Sequence, residues 1–336
     1  MTRKVIAVAL AAILCGLGRG SGQEATTRPA VARPAIAAIA AAFGQHRIVG
    51  LGDAHGNRLG EAFQRTLVGD PSLLGVVDDV LVEGGNSRHQ DLADRFVRGE
   101  TVDPLALRRI WLDTTQQQAV SLDVPELFTA VRALNASRPA ERRLRILLGE
   151  PPIDWERLKT AEDYRAWQDQ PASSRDAFAA DLLRREVLAR NRRALAFYGA
   201  GHFFRKVVSQ SLTTLLEGSG TKVFTIWTNT ALELRGVQAD VSTWPIPSLA
   251  MIRGTPLGRT GLSAYLGPNA GDVPPEWLAP MEDQFDAVLY LGPLSTITLG
   301  RPTRWKCDEP AWPERVRRAN LQRPGMGDRL EKDCEP

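Results

Sequence analysis

Four short stretches hold most of the groups in this chain that are able to do chemistry. Gly50-Leu-Gly-Asp53-Ala-His55-Gly56 and Gly199-Ala-Gly201-His202 contain two of the only four histidines. Val82-Glu83-Gly84-Gly85 and Gly149-Glu150-Pro-Pro-Ile-Asp154 add carboxylates in similar settings. A neutral imidazole beside a carboxylate acts as a general base on water or a hydroxyl; the carboxylate fixes the tautomer and stabilises the imidazolium. Two imidazoles with two carboxylates also suit a divalent metal of the zinc or manganese type. Nucleophilic Ser or Cys catalysis has no support, because no Ser stands in a Gly-x-Ser-x-Gly elbow and no Cys lies near these stretches. HExxH and GxxxxGK[ST] are absent. The Gly50-x-Gly52-x-x-x-Gly56 pattern imitates a dinucleotide loop, but Asp53 would face the pyrophosphate and His55 would have no role.

Groups so far apart in the chain meet only if the fold gathers them. Apolar runs predict strands at Arg47–Leu51, Val76–Val82, Leu144–Leu148, Ala194–Tyr198, Val223–Trp227 and Ala287–Leu291. Several are unbroken rather than alternating, as expected of strands covered on both faces. Helices are predicted between them at Ala35–Phe43, Leu59–Val68, Pro125–Asn135, Ser174–Arg192 and Phe203–Leu216. In the long helix Phe178, Leu182 and Val187 form the apolar stripe, and the arginines are expected to face solvent. This alternation predicts an α/β fold with a mainly parallel central sheet and helices on both faces. Each chemical stretch directly follows a predicted strand, so all four fall at the carboxyl ends, where open α/β sheets bind ligands.

Residues 1–22 read as a secretory signal peptide: a basic start, an apolar run from Val5 to Leu17, then small residues. The run is too short for a membrane span, and Leu14 before Cys15 is a poor fit to a lipoprotein cleavage site. The expectation is an exported protein, periplasmic or secreted, with no stable span after leader removal. Residues 23–34 read as a linker, 35–300 as the α/β domain, with 236–285 as an inserted lobe or lid, and 301–336 as a C-terminal tail. Cys307 and Cys334 are able to close a loop over that tail in an oxidising compartment. The whole chain has 42 basic and 39 acidic residues, and without residues 1–22 the signs balance at 39 each. A near-neutral protein has no bulk electrostatic reason to hold nucleic acid.

GLGDAHG after strand one, LVEGG after strand two and YGAGHF after strand four resemble the erythromycin-esterase-like superfamily, which includes ChaN-like haem-binding proteins and Tiki-type metalloproteases. IWLDTTQQQ and LLGEPPIDW add shorter resemblances, and together the motifs span about residues 36–300. The resemblance implies that His55 is the general base or a metal ligand, that Glu83 is the acid at the end of strand two, and that His202 completes the site. It implies an ester or amide bond in a small-molecule or peptide substrate, with a divalent metal (zinc or manganese, held by His55, Glu83 and His202) or haem as the cofactors to test. Binding of haem or metal without turnover, and a catalytically inactive binding domain, are the alternatives. Asp53 departs from the pattern: many members have Glu there, and the shorter arm draws the carboxylate back by one methylene. Esterase-like members often place their acid three residues before the histidine, where this chain has Gly52. The spacing is closer to the ChaN and Tiki branches.

Other residues are weighed against simpler roles. Arg58, Glu150 and Asp154 are candidates to bind substrate. Arg58 also fits an exposed first-turn arginine, and Asp154 a cap for a helix starting at Trp155. His46 precedes strand one, far from the site, and is expected to be structural. His89 is expected to be a solvated residue at a helix start. Trp111 and Gln116–Gln118 either line a pocket or pack and solvate a helix.

Overall fold

A computed structural model describes residues 28–115, 123–234, 241–266, 274–298 and 310–332. The expected signal peptide, residues 23–27 of the expected linker, Gln116–Gln118, Cys307 and Cys334 lie outside the described residues. In chain order the elements are β1 (Ala32–Pro34), α1 (Ala35–Ala42), β2 (Ile48–Asp53), α2 (Arg58–Gly69), β3 (Asp79–Asn86), α3 (Gln90–Val97), α4 (Pro104–Leu112), α5 (Asp123–Ala136), β4 (Arg145–Glu150) and α6 (Ala161–Gln168). They continue with α7 (Arg175–Leu183), β5 (Ala194–Gly199), α8 (Leu212–Glu217), β6 (Val223–Thr228), β7 (Ser248–Met251), α9 (Pro256–Arg259), α10 (Leu262–Leu266), β8 (Ala287–Tyr290), α11 (Trp312–Gln322) and α12 (Met326–Lys332).

The fold is α/β. The strands form one sheet in the order β1-β7-β8-β6-β2-β5-β3-β4. From β8 to β4 all neighbours are parallel, whereas β7 runs antiparallel to both β8 and β1. Alternation along each strand feeds two cores, one on each face. Val49, Leu51, Leu195 and Phe197 pack on one side with Ile39, Phe63, Leu67 and Phe128 from α1, α2 and α5. Ile48, Ala194, Ala196 and Tyr198 pack on the other with Leu183, Leu212 and Leu216 from α7 and α8.

All six expected strands are present; β1 and β7 were not anticipated. Both are short, at three and four residues, and lie toward one edge of the sheet, so neither leaves a long apolar run. Two assignments are therefore corrected. Residues 32–34, expected to be linker, form β1, and β7 inserts part of the expected lobe between β1 and β8. The helix expected over Phe203–Leu216 starts only at Leu212, where the Ser211 side chain accepts from the Thr214 amide at 3.1 Å and sets the first turn. The Ser174–Arg192 helix is capped by Ser174, runs as α7 to Leu183, and passes into a wider π-helical turn over Arg184–Leu188. No helix among the described residues is long and apolar enough to cross a membrane.

Candidate functional site

Parallel pairing brings the ends of β2, β5 and β3 side by side. Asp53 lies opposite Gly199, and Val82 opposite Phe197. Asp53 closes β2 and the chain turns at Gly56, whose φ of 81° suits glycine. The turn sets the His55 ring on the rim, with half of its side chain exposed. Its Nδ1 lies 3.7 Å from Asp53 Oδ1, and its Nε2 lies 3.7 Å from Glu83 Oε1. Glu83 Oε1 also faces His202 Nε2 at 3.4 Å. His202 follows β5 in a single 3-10 turn, and its Nδ1 meets Asp176 Oδ1 at 2.7 Å. Imidazoles and carboxylates thus alternate in one line, Asp176, His202, Glu83, His55, Asp53, in which Glu83 is the most buried member and His55 the most exposed.

Sequence reasoning missed Arg175 and Asp176. Arg175 was expected to face solvent with the other arginines of its helix; instead it is largely buried. Its Nη2 donates to Glu83 Oε1, and its Nε donates to Glu150 Oε1 at 2.5 Å. Both residues occupy the first turn of α7. The helix that precedes a parallel strand starts at the carboxyl rim, so the Ser174 cap was the available signal.

The electrostatics divide the line into a fixed part and a labile part. Burial alone would raise the Glu83 carboxyl. The hydrogen bond from His202 and the charges of Arg175, His202 and His55 outweigh it and hold the group well below the usual carboxylate range. The Gly199 amide donates to its other oxygen, Oε2, at 2.6 Å. Burial also works against charge on His202, but hydrogen bonds to Asp176 and Glu83 overcome it and raise the imidazole to about 9. At neutral pH Glu83 is therefore an anion and His202 a cation. Asp53 behaves differently. Burial pushes it up to about 7, against the attraction of His55, and Glu83 and Glu61 push it the same way. It accepts one hydrogen bond, from Gln64 Nε2 at 3.0 Å.

The donor set does not fit a divalent metal. Glu83 Oε1 already accepts from Arg175, Oε2 accepts from the Gly199 amide, and the two His202 ring nitrogens are taken up by Asp176 at 2.7 Å and by Glu83 and Arg175, both at 3.4 Å. The Arg175 guanidinium, with Nη1 3.4 Å from His202 Nε2, supplies positive charge where a metal would. Among the described residues no group of three or more His, Cys, Asp or Glu is placed to hold a metal ion.

The expected substrate-binding residues separate. Glu150, at the end of β4, is only 1% exposed, too buried to meet a substrate directly. It anchors Arg175 and accepts from the Thr115 amide at 3.2 Å and from the Thr115 hydroxyl. Burial raises its carboxyl despite Arg175 and Thr115. Asp154 is held by Arg88 at 3.0 Å and Arg157 at 3.3 Å. It starts no helix at Trp155, because residues 155–157 form only a turn. Arg58 is exposed in the first turn of α2. His46 is structural, its ring 5.5 Å from Phe224. His89 is not solvated: it is buried, with Nε2 3.1 Å from Asp113 Oδ2. Trp111 packs edge-on against Phe128 in the core.

Gly199 packs directly against the His55 ring. A methyl group there would lie 2.8 Å from His55 Nε2 and 3.4 Å from Glu83 Oε2. His55 is exposed enough to swing away, so Gly199→Ala is expected to displace the imidazole at a stability cost of about 1 kcal/mol or less. Any activity that depends on His55 should fall at least tenfold. Parallel thermal melts and assays check this, and unchanged activity would place the His55 ring elsewhere.

No family model matches the chain, and no curated protein matches it in sequence. Solved structures do match. A protein from Bacillus cereus is 12% identical over 74% of this chain and 88% of its own, with a TM-score of 0.44. ChaN of Campylobacter jejuni, described with cofacial haem binding, is 13% identical over 57% of this chain and 85% of its own, with a TM-score of 0.35. An erythromycin esterase variant in its open conformation is 12% identical over 75% of this chain and 92% of its own, with a TM-score of 0.46. The chain is thus similar in structure to proteins that bear the names of the erythromycin-esterase and ChaN groups.

Proposed function

We propose that the chain is an exported hydrolase that cleaves an ester or amide bond with water activated by His55. One observation supports this most: a half-exposed imidazole on the carboxyl rim, flanked at 3.7 Å by two carboxylates, one of which is locked as an anion. His55 takes a proton from water as the oxygen attacks the carbonyl carbon. Glu83, charged throughout, stabilises the imidazolium that forms. Collapse of the tetrahedral intermediate breaks the bond to the alcohol or amine, and His55 returns the proton to that leaving group. Arg175 and His202 hold Glu83 in place and in its charged state. The ester or amide class rests on the motif resemblance. A panel of esters and peptides tests the proposal: turnover by purified protein supports it. The absence of turnover, with haem binding that gives a Soret band lost in His55→Ala, would replace it with a binding function.

Asp53 gives this reading a pH signature. Its carboxyl is neutral below about 7 and charged above, so its support for the imidazolium grows as pH rises, and the rate should rise through that range. Asp53→Asn should lower the rate and remove that rise. Stability should move the other way. The native state keeps the Asp53 proton at pH values where the unfolded chain, titrating near 3.8, has lost it. Native stability therefore falls as pH increases from about 4 to about 7. Asp53→Asn avoids this loss and should be more stable than wild type at pH 8, on the order of 1–3 kcal/mol, with the difference vanishing near pH 4. Melts across pH, compared with rate profiles, check both signs.

A further inference from the structure

Helix α11, the last but one in the described chain, reaches the site through a line of hydrogen bonds. Gln322, its last residue, donates from Nε2 to the Thr115 carbonyl. The Thr115 amide and hydroxyl both donate to Glu150 Oε2. The other Glu150 oxygen, Oε1, accepts from Arg175 Nε at 2.5 Å, and Arg175 Nη2 donates to Glu83 Oε1. That Glu83 atom is the one facing both His55 and His202.

The preceding residues are fastened from the same helix. Arg318 Nη1 donates to Asp113 Oδ1 at 2.6 Å, and Arg315 Nη1 to the Leu112 carbonyl at 3.3 Å. On the other side Asn86 and Trp155 both donate to the Asp113 carbonyl at 2.9 Å. Residues 112–115 therefore form a rigid strap whose position α11 helps to set.

We propose that Gln322 is a positioning residue for Glu83, acting through Thr115, Glu150 and Arg175. Glu150 is almost fully buried, so its oxygens depend on protein donors. The other anchors of the strap hold Leu112 and Asp113, so loss of the Gln322 bond loosens its Thr115 end, weakens the two Thr115 donations to Oε2 and leaves Arg175 as the main counterweight. The guanidinium then divides differently between its two carboxylates, and the Glu83 oxygen that faces His55 loses its fixed place. The consequence for rate rests on the hydrolase reading; the consequence for Glu83 does not.

The test is Gln322→Met, which keeps side-chain length and removes the donor, with Gln322→Lys as the variant that restores one. Hydrogen exchange without substrate is measured at the Gly199 amide, which donates to Glu83 Oε2, and at the Ile226 amide in β6 as a control for global opening. The expected result is at least tenfold faster exchange at Gly199 in Gln322→Met, little change at Ile226, and recovery in Gln322→Lys. If a substrate is in hand, kcat falls at least threefold while KM holds. Wild-type exchange at Gly199 in Gln322→Met, or equal acceleration at both amides, would overturn the proposal. A protein that hydrolyses nothing yet shows the Gly199 effect would leave the positioning role standing and remove the hydrolase reading alone.

Discussion

Replacing His55 by alanine is expected to lower kcat/KM by about 10²–10⁴-fold, the usual contribution of a positioned general base. The fold should survive, because half of the side chain is in solvent and neither flanking carboxylate contact is shorter than 3.7 Å. The melting temperature should therefore stay near that of wild type, and circular dichroism should be unchanged. Loss of activity without loss of structure separates this residue from the buried partners behind it. His202→Ala would remove a cation that Glu83 and Asp176 both face, so it would disturb packing and activity together.

Arg175→Met is expected to have the largest effect on stability. Its guanidinium sits between Glu83 and Glu150, both buried. Burial opposes its charge, but the two carboxylates raise its proton affinity above the ordinary value. Removing one partner of a buried ion pair typically costs about 3–5 kcal/mol, because the remaining charges are left uncompensated. Activity should fall with it, since Glu83 loses the group that fixes it. Adding Glu150→Gln removes one of the stranded charges and should recover part of the stability, but no activity. Denaturant unfolding of the single and double variants measures both. A cost below about 1 kcal/mol for Arg175→Met would mean that the pair is solvated rather than buried.

The sequence made the centre of the molecule legible because burial on both faces leaves unbroken apolar runs, and all six such runs are strands. The edges were not legible. The three residues of β1 and the four of β7 are too short for a pattern to rise above loop composition, and β1 is largely exposed as well. In the site, Asp53, His55, Glu83 and His202 could be read because each directly follows or ends an apolar strand, and glycines mark the turns. Arg175 could not be read from the expected Ser174–Arg192 helix, which carries many arginines; only its first-turn position distinguishes it from Arg184, which pairs at the surface with Asp181. Glu150 was placed at the correct end of the sheet, but its burial was not legible, because depth is set by neighbouring elements. The strap at residues 112–115 and the helix α11 that cover it lie far apart in the sequence. His89 was misread for the same reason: its partner Asp113 is 24 residues away, and local composition does not show that α4 folds over it.

The central claim is that an imidazole held between carboxylates activates water without help from a bound metal ion. The direct test is hydrolysis of an ester and peptide panel by protein stripped with a chelator and confirmed metal-free by elemental analysis, wild type beside His55→Ala. The account predicts turnover of at least one substrate by the stripped wild type and its loss in the variant. Turnover that disappears on stripping and returns with zinc or manganese, or equal turnover by both proteins, would contradict it.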